Sequence, residues 1–361
     1  MPLSPAQRSA IDHVASHARS RRAEAVAQQD HIRRMCDISV DDLCEARVNI
    51  EQHARVALHF HPDRPDGTGQ TVGQALLRDG RYRSQFETGL SNGGLSAHPG
   101  GRRDLCEQRL FDGAYHASGM TNAGRPKYGS LSLLHHADGP SPRFGSCYFV
   151  LTAAVSRRCT FTYLDSHEGS IERGTLEEFD DVFSALLHSA FYHEIGLGES
   201  GLSVPSLVRR LRCELPLPSG DVEKFPIIRN LNHYIEAQVH GDVLLDQDVD
   251  ALVADPSFRG TETGCVLDEL CRRYDVALHW HPGFLLSCDE VPRDFRGPTM
   301  PSLAQRIARS GIIDASTIGD AVSDLRADPG AWTDRGDLDE VLQELKLLWH
   351  VLVKYGRQPR Q

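Results

Sequence analysis

A seven-residue motif occurs twice in the chain, and it constrains the fold more than any other feature. Val56-Ala-Leu-His59-Phe-His61-Pro62 is repeated as Val276-Ala-Leu-His279-Trp-His281-Pro282, with one aromatic residue exchanged for another. Valine, leucine and an aromatic residue favour a β-strand, in which alternate side chains share a face. Proline cannot donate to the ladder and ends the strand. The motif therefore predicts two strands that each end in a pair of histidines.

The composition indicates a globular chain. Of the 361 residues, 40% are hydrophobic and 25% are charged, which suits one large domain or two smaller ones. The formal net charge of -11 disfavours a nucleic-acid backbone as partner. Neither an apolar run of about 18 residues nor a signal-peptide pattern is present. We therefore expect a cytoplasmic protein without a membrane partner.

Helical patterns occupy both ends of the chain, and strand patterns lie between them. Ser4, Pro5 and Gln7 have the pattern of a capped helix start, and a capping box at 175–178 predicts a second helix. Further helices are predicted at 302–310, 316–325 and 337–355. Strands are predicted at 55–61, 131–134, 147–151, 160–163, 234–239 and 242–245.

This order of patterns predicts an α+β fold with a central mixed or antiparallel β core, long loops, and flanking N-terminal and C-terminal helices. We divide the chain into a helical arm at 1–45, a catalytic or ligand-binding core at 46–297 and a helical segment at 298–361.

The two histidine pairs allow a metal site as one interpretation. Two imidazoles on one face of a strand end can reach one Zn²⁺ or Fe²⁺, so His59, His61, His279 and His281 would together supply four nitrogens. A metal-free polar site and purely structural histidines are the other interpretations. The first copy continues into Asp63-Arg64 and the second does not, so we expect the first copy to be the functional one.

Segment 85–94 combines polar side chains with glycines. Gln85, Glu87, Thr88 and Ser91 offer an acid, an amide and two hydroxyls, which suit a polar ligand or a structural turn. The chain contains neither GxGxxG nor GxxxxGK[ST], so the sequence supports neither a Rossmann fingerprint nor a P-loop.

Another polar face follows from the alternation in segment 125–134. Tyr128, Ser130 and Ser132 share one face of the predicted strand. If that face is buried, the serines need a partner or ligand, and otherwise the face is simply solvated.

The strand pattern at 234–240 gives a third polar face. Glu236, Gln238 and His240 lie on the side opposite Ile235 and Val239. An acid, an amide and an imidazole together are typical of a functional site rather than of a solvated edge strand.

These segments resemble a bacterial family of unknown function, DUF3626, over about residues 55–300. The resemblance is carried by Leu58-His-Phe-His-Pro-Asp-Arg64, Asp79-Gly-Arg-Tyr-Arg-Ser-Gln-Phe-Glu-Thr-Gly-Leu-Ser-Asn-Gly93, Arg125-Pro-Lys-Tyr-Gly-Ser130, Arg143-Phe-Gly-Ser-Cys-Tyr-Phe149, Ile235-Glu-Ala-Gln-Val-His-Gly241, His281-Pro-Gly-Phe284 and Phe295-Arg-Gly-Pro298.

The order of these strands is also similar to that of ADP-ribosyltransferases. That resemblance implies NAD as co-substrate, and a macromolecular acceptor, which we expect to be a protein, or hydrolysis of NAD. A glutamate of that superfamily stabilises the ribose oxocarbenium ion as nicotinamide leaves. The implied catalytic residues are Glu236, His61 and Tyr128. With the polar segments above, the predicted NAD-binding residues are His59, Arg64, Gln85, Glu87, Thr88, Ser91, Ser130, Ser132, Gln238 and His240.

Two other functions stay open at the level of sequence. A metal-dependent hydrolase would use the four histidines of the repeated motif, with Zn or Fe as cofactor. A non-enzymatic binding module would use the glycine-rich loops and amphipathic ends for a partner protein. The acid and amide stand here as Glu236-x-Gln238, whereas ADP-ribosyltransferases that modify arginine or asparagine have Glu-x-Glu or Gln-x-Glu.

Overall fold

Helices at both ends of the chain and a mixed β-sheet between them confirm the predicted α+β class. The computed structural model describes residues 2–66, 68–89, 96–218 and 228–358. The strands are β1 Arg55–Phe60, β2 Arg81–Tyr82, β3 Lys127–Ser132, β4 Cys147–Leu151, β5 Cys159–Tyr163, β6 Arg173–Gly174, β7 Ile195–Gly196, β8 Glu199–Ser200, β9 Ile235–Val239, β10 Val243–Leu244, β11 Val249–Ala254, β12 Ala277–Trp280, β13 Leu286–Ser287 and β14 Ile312–Ile313.

The helices are α1 Pro5–Met35, α2 Val40–His53, α3 Val72–Asp79, α4 Gln85–Thr88, α5 Arg102–Leu110, α6 Ala153–Ser156, α7 Asp180–His193, α8 Val204–Cys213, α9 Leu245–Asp248, α10 Glu262–Tyr274, α11 Met300–Ile307, α12 Ala315–Ala327 and α13 Leu338–Tyr355. Within the described ranges, none of them is long and apolar enough to cross a membrane.

Eight of the described strands form the central sheet, in the order β12-β11-β4-β1-β3-β9-β5-β6. The pairs β1–β3, β3–β9, β9–β5 and β5–β6 are antiparallel, and β11–β12 is parallel. Strand β9 lies between β3 and β5, and all five of its residues are buried. Both faces of this strand are therefore shielded from water, including the polar one.

Contacts divide the chain into two units, each built from three segments. Unit 1 comprises Met1–Leu58, Arg81–Ser141 and Phe149–Asp250, and unit 2 comprises His59–Gly80, Pro142–Tyr148 and Ala251–Gln361. The boundaries predicted near residues 45 and 297 stay predictions.

In unit 1, helix α1 packs along α7, where Gln29 Nε2 donates to Asp180 O at 2.8 Å. The apolar side of α1, at Ala10 and Val14, joins a buried cluster with Leu110, Phe111 and Tyr115. The first 35 residues therefore contribute to the core of this unit.

The close approach of β1 and β3 explains the glycine in the Tyr-Gly-Ser segment of β3. A Cβ at Gly129 would lie 2.4 Å from Ala57 O, well inside contact distance. Only glycine lets the two backbones come this close.

In unit 2, helix α10 packs on α3, where Tyr274 Oη donates to Leu77 O at 2.8 Å. Helix α13 contacts α11 and α12, and its buried Trp349 donates from Nε1 to Pro142 O at 2.9 Å. The predicted amphipathic C-terminal helix is thus the central helix of this unit's core.

Several element boundaries differ from the predicted ones; the helix predicted at 302–310, for example, is α11 at Met300–Ile307. Strand β3 begins at Lys127 rather than 131, because its first half pairs with β9. Helix α7 begins at Asp180, since the Thr175 hydroxyl accepts from the Glu178 N–H of a preceding turn. The predicted strand at 242–245 is β10 followed at once by α9.

Candidate functional site

Three adjacent strands of unit 1 bring predicted site residues together. Ser130 on β3 and Thr162 on β5 both stand opposite Glu236 in the ladders of β9, and Tyr128 stands opposite Gln238. These residues are far apart in the sequence, and strand pairing brings them together into one polar layer. Alternation within each strand predicted which residues share a face, but not which strands are neighbours. We call this layer and its neighbours from α5 and segment 164–170 the β9 site.

Glu236 is the central carboxyl of the β9 site. It is only 4% exposed, and Gln238 Nε2 donates to its Oε1 at 2.9 Å. Burial, with the charge of Asp165, raises the pKa of Glu236 to about 7, while Arg103 and hydrogen bonds from Ser166 and Gln238 act in the opposite direction. The group can therefore change charge near neutral pH.

Arg103 supplies a buried cation to the site. Its guanidinium carbon lies 3.8 Å from the centroid of the Tyr128 ring, and its side chain is almost fully buried. Burial opposes the charge, but Tyr128 and the carboxyls of Glu236 and Asp165 raise the pKa of Arg103 above its usual range. The guanidinium thus stays charged beside Glu236.

A second buried carboxyl, Glu107, contacts the hydroxyl of Tyr128. The Tyr128 hydroxyl donates to Glu107 Oε1 at 2.9 Å, and Arg125 Nη1 donates to Glu107 Oε2 at 2.7 Å. Arg125 also pairs with Asp104 at 2.7 Å. Burial raises the pKa of Glu107 to about 7, although Arg125 and Tyr128 counteract it. The carboxyl bound by the Tyr128 hydroxyl thus has, like Glu236, a pKa near neutrality.

The site approaches the surface at segment 164–170. Asp165 Oδ1 lies 2.7 Å from His167 Nδ1, and the His167 side chain is 38% exposed. Burial alone would raise the pKa of Asp165, but hydrogen bonds and charge from His167 lower it. Asp165 and Glu236 are thus neighbouring carboxyls whose pKa values are shifted in opposite directions, an arrangement typical of catalytic sites.

Sequence reasoning missed Arg103, Glu107 and Asp165. Helix α5 carries charged residues on every side, so its sequence has no apolar stripe that would mark a buried face. The spacing of Arg103 and Glu107, four residues apart on one helical face, is the signal that could have drawn attention to them.

The predicted ligand-binding segment at 85–94 is in part a capped turn. Glu87 Oε2 accepts from Ser84 N at 2.9 Å, and Arg81 donates to Glu87 Oε1 at 2.6 Å. The Thr88 hydroxyl donates to Ser84 O. These bonds favour the structural interpretation of Glu87 and Thr88. Gln85 begins this short helix, α4, and Ser91 lies outside the described residues.

The two serines of β3 have different surroundings. Ser130 is fully buried and its Oγ lies 2.6 Å from Ser141 Oγ. Ser132 is partly buried and lines a small cavity with His136 and Tyr234. The Ser130 hydroxyl is therefore hydrogen-bonded to another side chain of the same protein and needs no ligand.

The first histidine pair belongs to unit 2. His59 Nδ1 lies 3.3 Å from Gly145 O, and His61 Nδ1 lies 3.3 Å from Ser146 Oγ. Burial and the charge of Arg64 hold the pKa of His61 well below its usual range. A Cβ at Gly145 would lie 2.3 Å from Phe60 N, so glycine is required where this segment meets the end of β1.

The second copy of the motif reaches the same segment of unit 2 through one histidine. His281 Nε2 lies 3.2 Å from Ser146 O, while Gly283 N donates to His281 Nδ1 at 3.0 Å. His279 is exposed on β12. The two copies thus meet at Ser146 through His61 and His281, and the four histidines do not form one set.

The described ranges show no arrangement of side chains suited to coordinate a metal ion. No three of their histidine, cysteine, aspartate and glutamate side chains are arranged to hold a metal ion. Arg64 lies 3.7 Å from Asp63, the acid that follows the first histidine pair.

A family model described as a protein of unknown function, DUF3626, matches residues 55–355. The chain belongs to the DUF3626 family. No curated protein matches it with significance. The matched part of this DUF3626 protein includes every described residue of the β9 site and both histidine motifs.

Proposed function

We propose that this DUF3626 protein cleaves the bond between nicotinamide and ribose in NAD. ADP-ribose is then transferred to a macromolecular acceptor, which we expect to be a protein, or to water. The observation that carries the proposal is the buried Glu236 carboxyl on the central strand β9, which feels the charges of Arg103 and Asp165 and has its pKa raised to about 7.

The reaction needs a carboxylate near the anomeric carbon. When the bond from C1′ to the nicotinamide nitrogen breaks, the electron pair leaves with nicotinamide and positive charge develops on the ribose. An ionised Glu236 in a low-dielectric site would stabilise that charge more than water does. The acceptor then bonds to C1′ and releases its proton.

The neighbours of Glu236 suit this role. Asp165 has a lowered pKa and stays ionised, so its carboxylate can accept a hydrogen bond from the acceptor, whose proton is released to solvent. Tyr128 presents an aromatic face beside Arg103, and we assign it to the nicotinamide pocket implied by the resemblance to ADP-ribosyltransferases. The roles of His59, His61 and Arg64 toward NAD stay predictions from the sequence.

Release of nicotinamide from NAD tests the proposal. We expect Glu236→Gln to lower kcat at least about 100-fold, because the neutral amide cannot stabilise the developing cation. Asp181→Asn is a matched control, since Asp181 is a buried carboxyl of unit 1 that pairs with Arg21 on α1. Release by Glu236→Gln at the wild-type rate would remove Glu236 from catalysis.

A further inference from the structure

A chain of buried hydrogen bonds leads from Tyr115 to Glu236 through three intervening side chains. The Tyr115 hydroxyl contacts His240 Nδ1, and His240 Nε2 lies 3.0 Å from Thr160 Oγ1. The Thr160 hydroxyl donates to Gln238 Oε1 at 2.8 Å. Gln238 Nε2 then donates to Glu236 Oε1 at 2.9 Å. All five residues are at most 4% exposed.

The direction of every bond in the chain can be assigned. Thr160 has one hydroxyl proton and gives it to Gln238, so toward His240 it can only accept. His240 Nε2 must then carry the proton, which leaves Nδ1 to accept from the Tyr115 hydroxyl. The donors all point toward Glu236.

Thr162 fixes the orientation of the Gln238 amide independently. The Thr162 hydroxyl donates to Leu164 O at 3.1 Å and accepts from Gln238 Nε2 at 3.3 Å. A flipped amide would turn Gln238 Oε1 toward the Thr162 oxygen and the Glu236 carboxylate, where no proton lies between them. The amide N–H groups are therefore held toward Glu236.

We propose that Thr160, His240 and Tyr115 are positioning residues, which hold the Gln238 amide so that it donates to Glu236 and keeps that carboxylate oriented. The effect on turnover rests on the proposed function, whereas the effect on the Glu236 carboxyl does not. Gln238 and His240, predicted from sequence to contact NAD, thereby act through Glu236.

The charged groups around His240 and Glu236 are compatible with this positioning role. His240 is packed among Phe111 and Tyr115, with Lys127 and Arg158 as the nearby cations. Burial, aided by these cations, lowers the pKa of His240 to about 3, so it is neutral in the physiological range. The groups that act on Glu236 from neighbouring elements are Arg103 from α5, Asp165 and Ser166 from segment 164–170, and Tyr128 from β3.

A measurement on the wild-type protein tests the direction of the chain. We expect ¹⁵N NMR, with the His240 signals assigned by His240→Gln, to show the neutral tautomer protonated at Nε2 between about pH 5 and about pH 8. A proton on Nδ1 would reverse the direction of the hydrogen bonds that His240 makes and would overturn the proposal. This test needs no destabilising substitution in the measured protein.

Substitution at Thr160 tests the effect on Glu236. Thr160→Val keeps the β-branched shape and removes the hydroxyl, and Thr160→Ser keeps the hydroxyl as its matched control. In Thr160→Val we expect kcat for nicotinamide release to fall about tenfold with KM unchanged, because a hydrogen bond to the charged form is weakened. The acid limb of the pH profile should move to higher pH, and Thr160→Ser should restore both.

Titration of the Glu236 carboxyl by ¹³C NMR separates this proposal from the proposed function. If the wild type releases no nicotinamide, the enzymatic function fails, but a higher pKa of Glu236 in Thr160→Val than in the wild type still supports positioning. The same Glu236 titration in both proteins, or equal defects in Thr160→Val and Thr160→Ser, would show that Thr160 only packs.

Discussion

Glu236 and Glu199 are two carboxyl groups of unit 1 whose pKa values are shifted in opposite directions. Burial dominates at Glu236 and raises its pKa to about 7. Burial also opposes the charge of Glu199, but hydrogen bonds from His136 and Arg210 outweigh it and lower the pKa to about 2. Arg210 binds both Glu199 oxygens, at 2.9 and 2.8 Å. The partners, more than the depth, decide which carboxyl is ionised.

Glu199→Gln should therefore destabilise the protein in a pH-dependent way. The folded pKa lies below the unfolded value, so the contribution is present above about pH 4.5 and is lost as pH falls through about 2. At neutral pH we expect the free energy of unfolding to fall by on the order of 2–3 kcal/mol. Chemical denaturation at neutral pH and below about pH 3 measures the difference.

Glu236→Gln is the control, because the pKa of Glu236 is shifted in the opposite direction to that of Glu199. The raised pKa of Glu236 makes its stabilising contribution complete below about pH 4.5, and that contribution is lost as pH rises through about 7. The variant should lack this alkaline loss. Equal pH dependence in the two variants would contradict the assignment of opposite shifts.

At the scale of elements, capping signals in the sequence predicted the start of α1 but not that of α7. Ser4 and Gln7 form the predicted capping box, with reciprocal bonds of 2.8 and 3.2 Å, and α1 begins at Pro5. The spacing of apolar residues predicted α13 almost to its first residue. Helix α5 was not predicted, because the partners of its buried charges come from other elements and leave no periodic trace in its own sequence.

Helix α1 offers a direct test of its packing. Val14 is fully buried in the cluster with Phe111 and Tyr115, whereas Val26 on the same helix is 45% exposed. Val14→Asp should lower the free energy of unfolding by about 3 kcal/mol or more, because it buries a charge without a partner. Val26→Asp should stay within about 0.5 kcal/mol. Thermal or chemical denaturation of the full chain measures both, and a harmless Val14→Asp would mean that α1 does not join this core.

At the scale of the whole molecule, the fold class followed from the order of patterns, but the site did not. Alternation showed that Glu236, Gln238 and His240 share a face, yet it could not show that β9 is a central strand, because its neighbours β3 and β5 are paired through long-range contacts. Tyr115 and His240 stand 125 residues apart. Such contacts depend on the tertiary arrangement, which periodicity within one segment does not encode.

The repeated histidine motif likewise shows that a local pattern predicts a strand but not its tertiary contacts. Its two copies predicted two strands, and β1 and β12 confirm them. The metal interpretation required all four histidines at one place, but β12 exposes His279 while His61 and His281 both contact Ser146. Two nearly identical local sequences thus differ in burial, because the neighbours of each strand differ.

The pH dependence of nicotinamide release from NAD tests whether Glu236 is the catalytic carboxylate. With Glu236 ionising near pH 7 and Asp165 already charged, kcat should rise with pH through about 7 and then level off, since only the carboxylate form stabilises the cation. Glu236→Gln should be inactive throughout, while Asp181→Asn should follow the wild type. A wild-type rate that is constant from about pH 5 to about pH 9, or equal release by Glu236→Gln, would contradict the role assigned to Glu236.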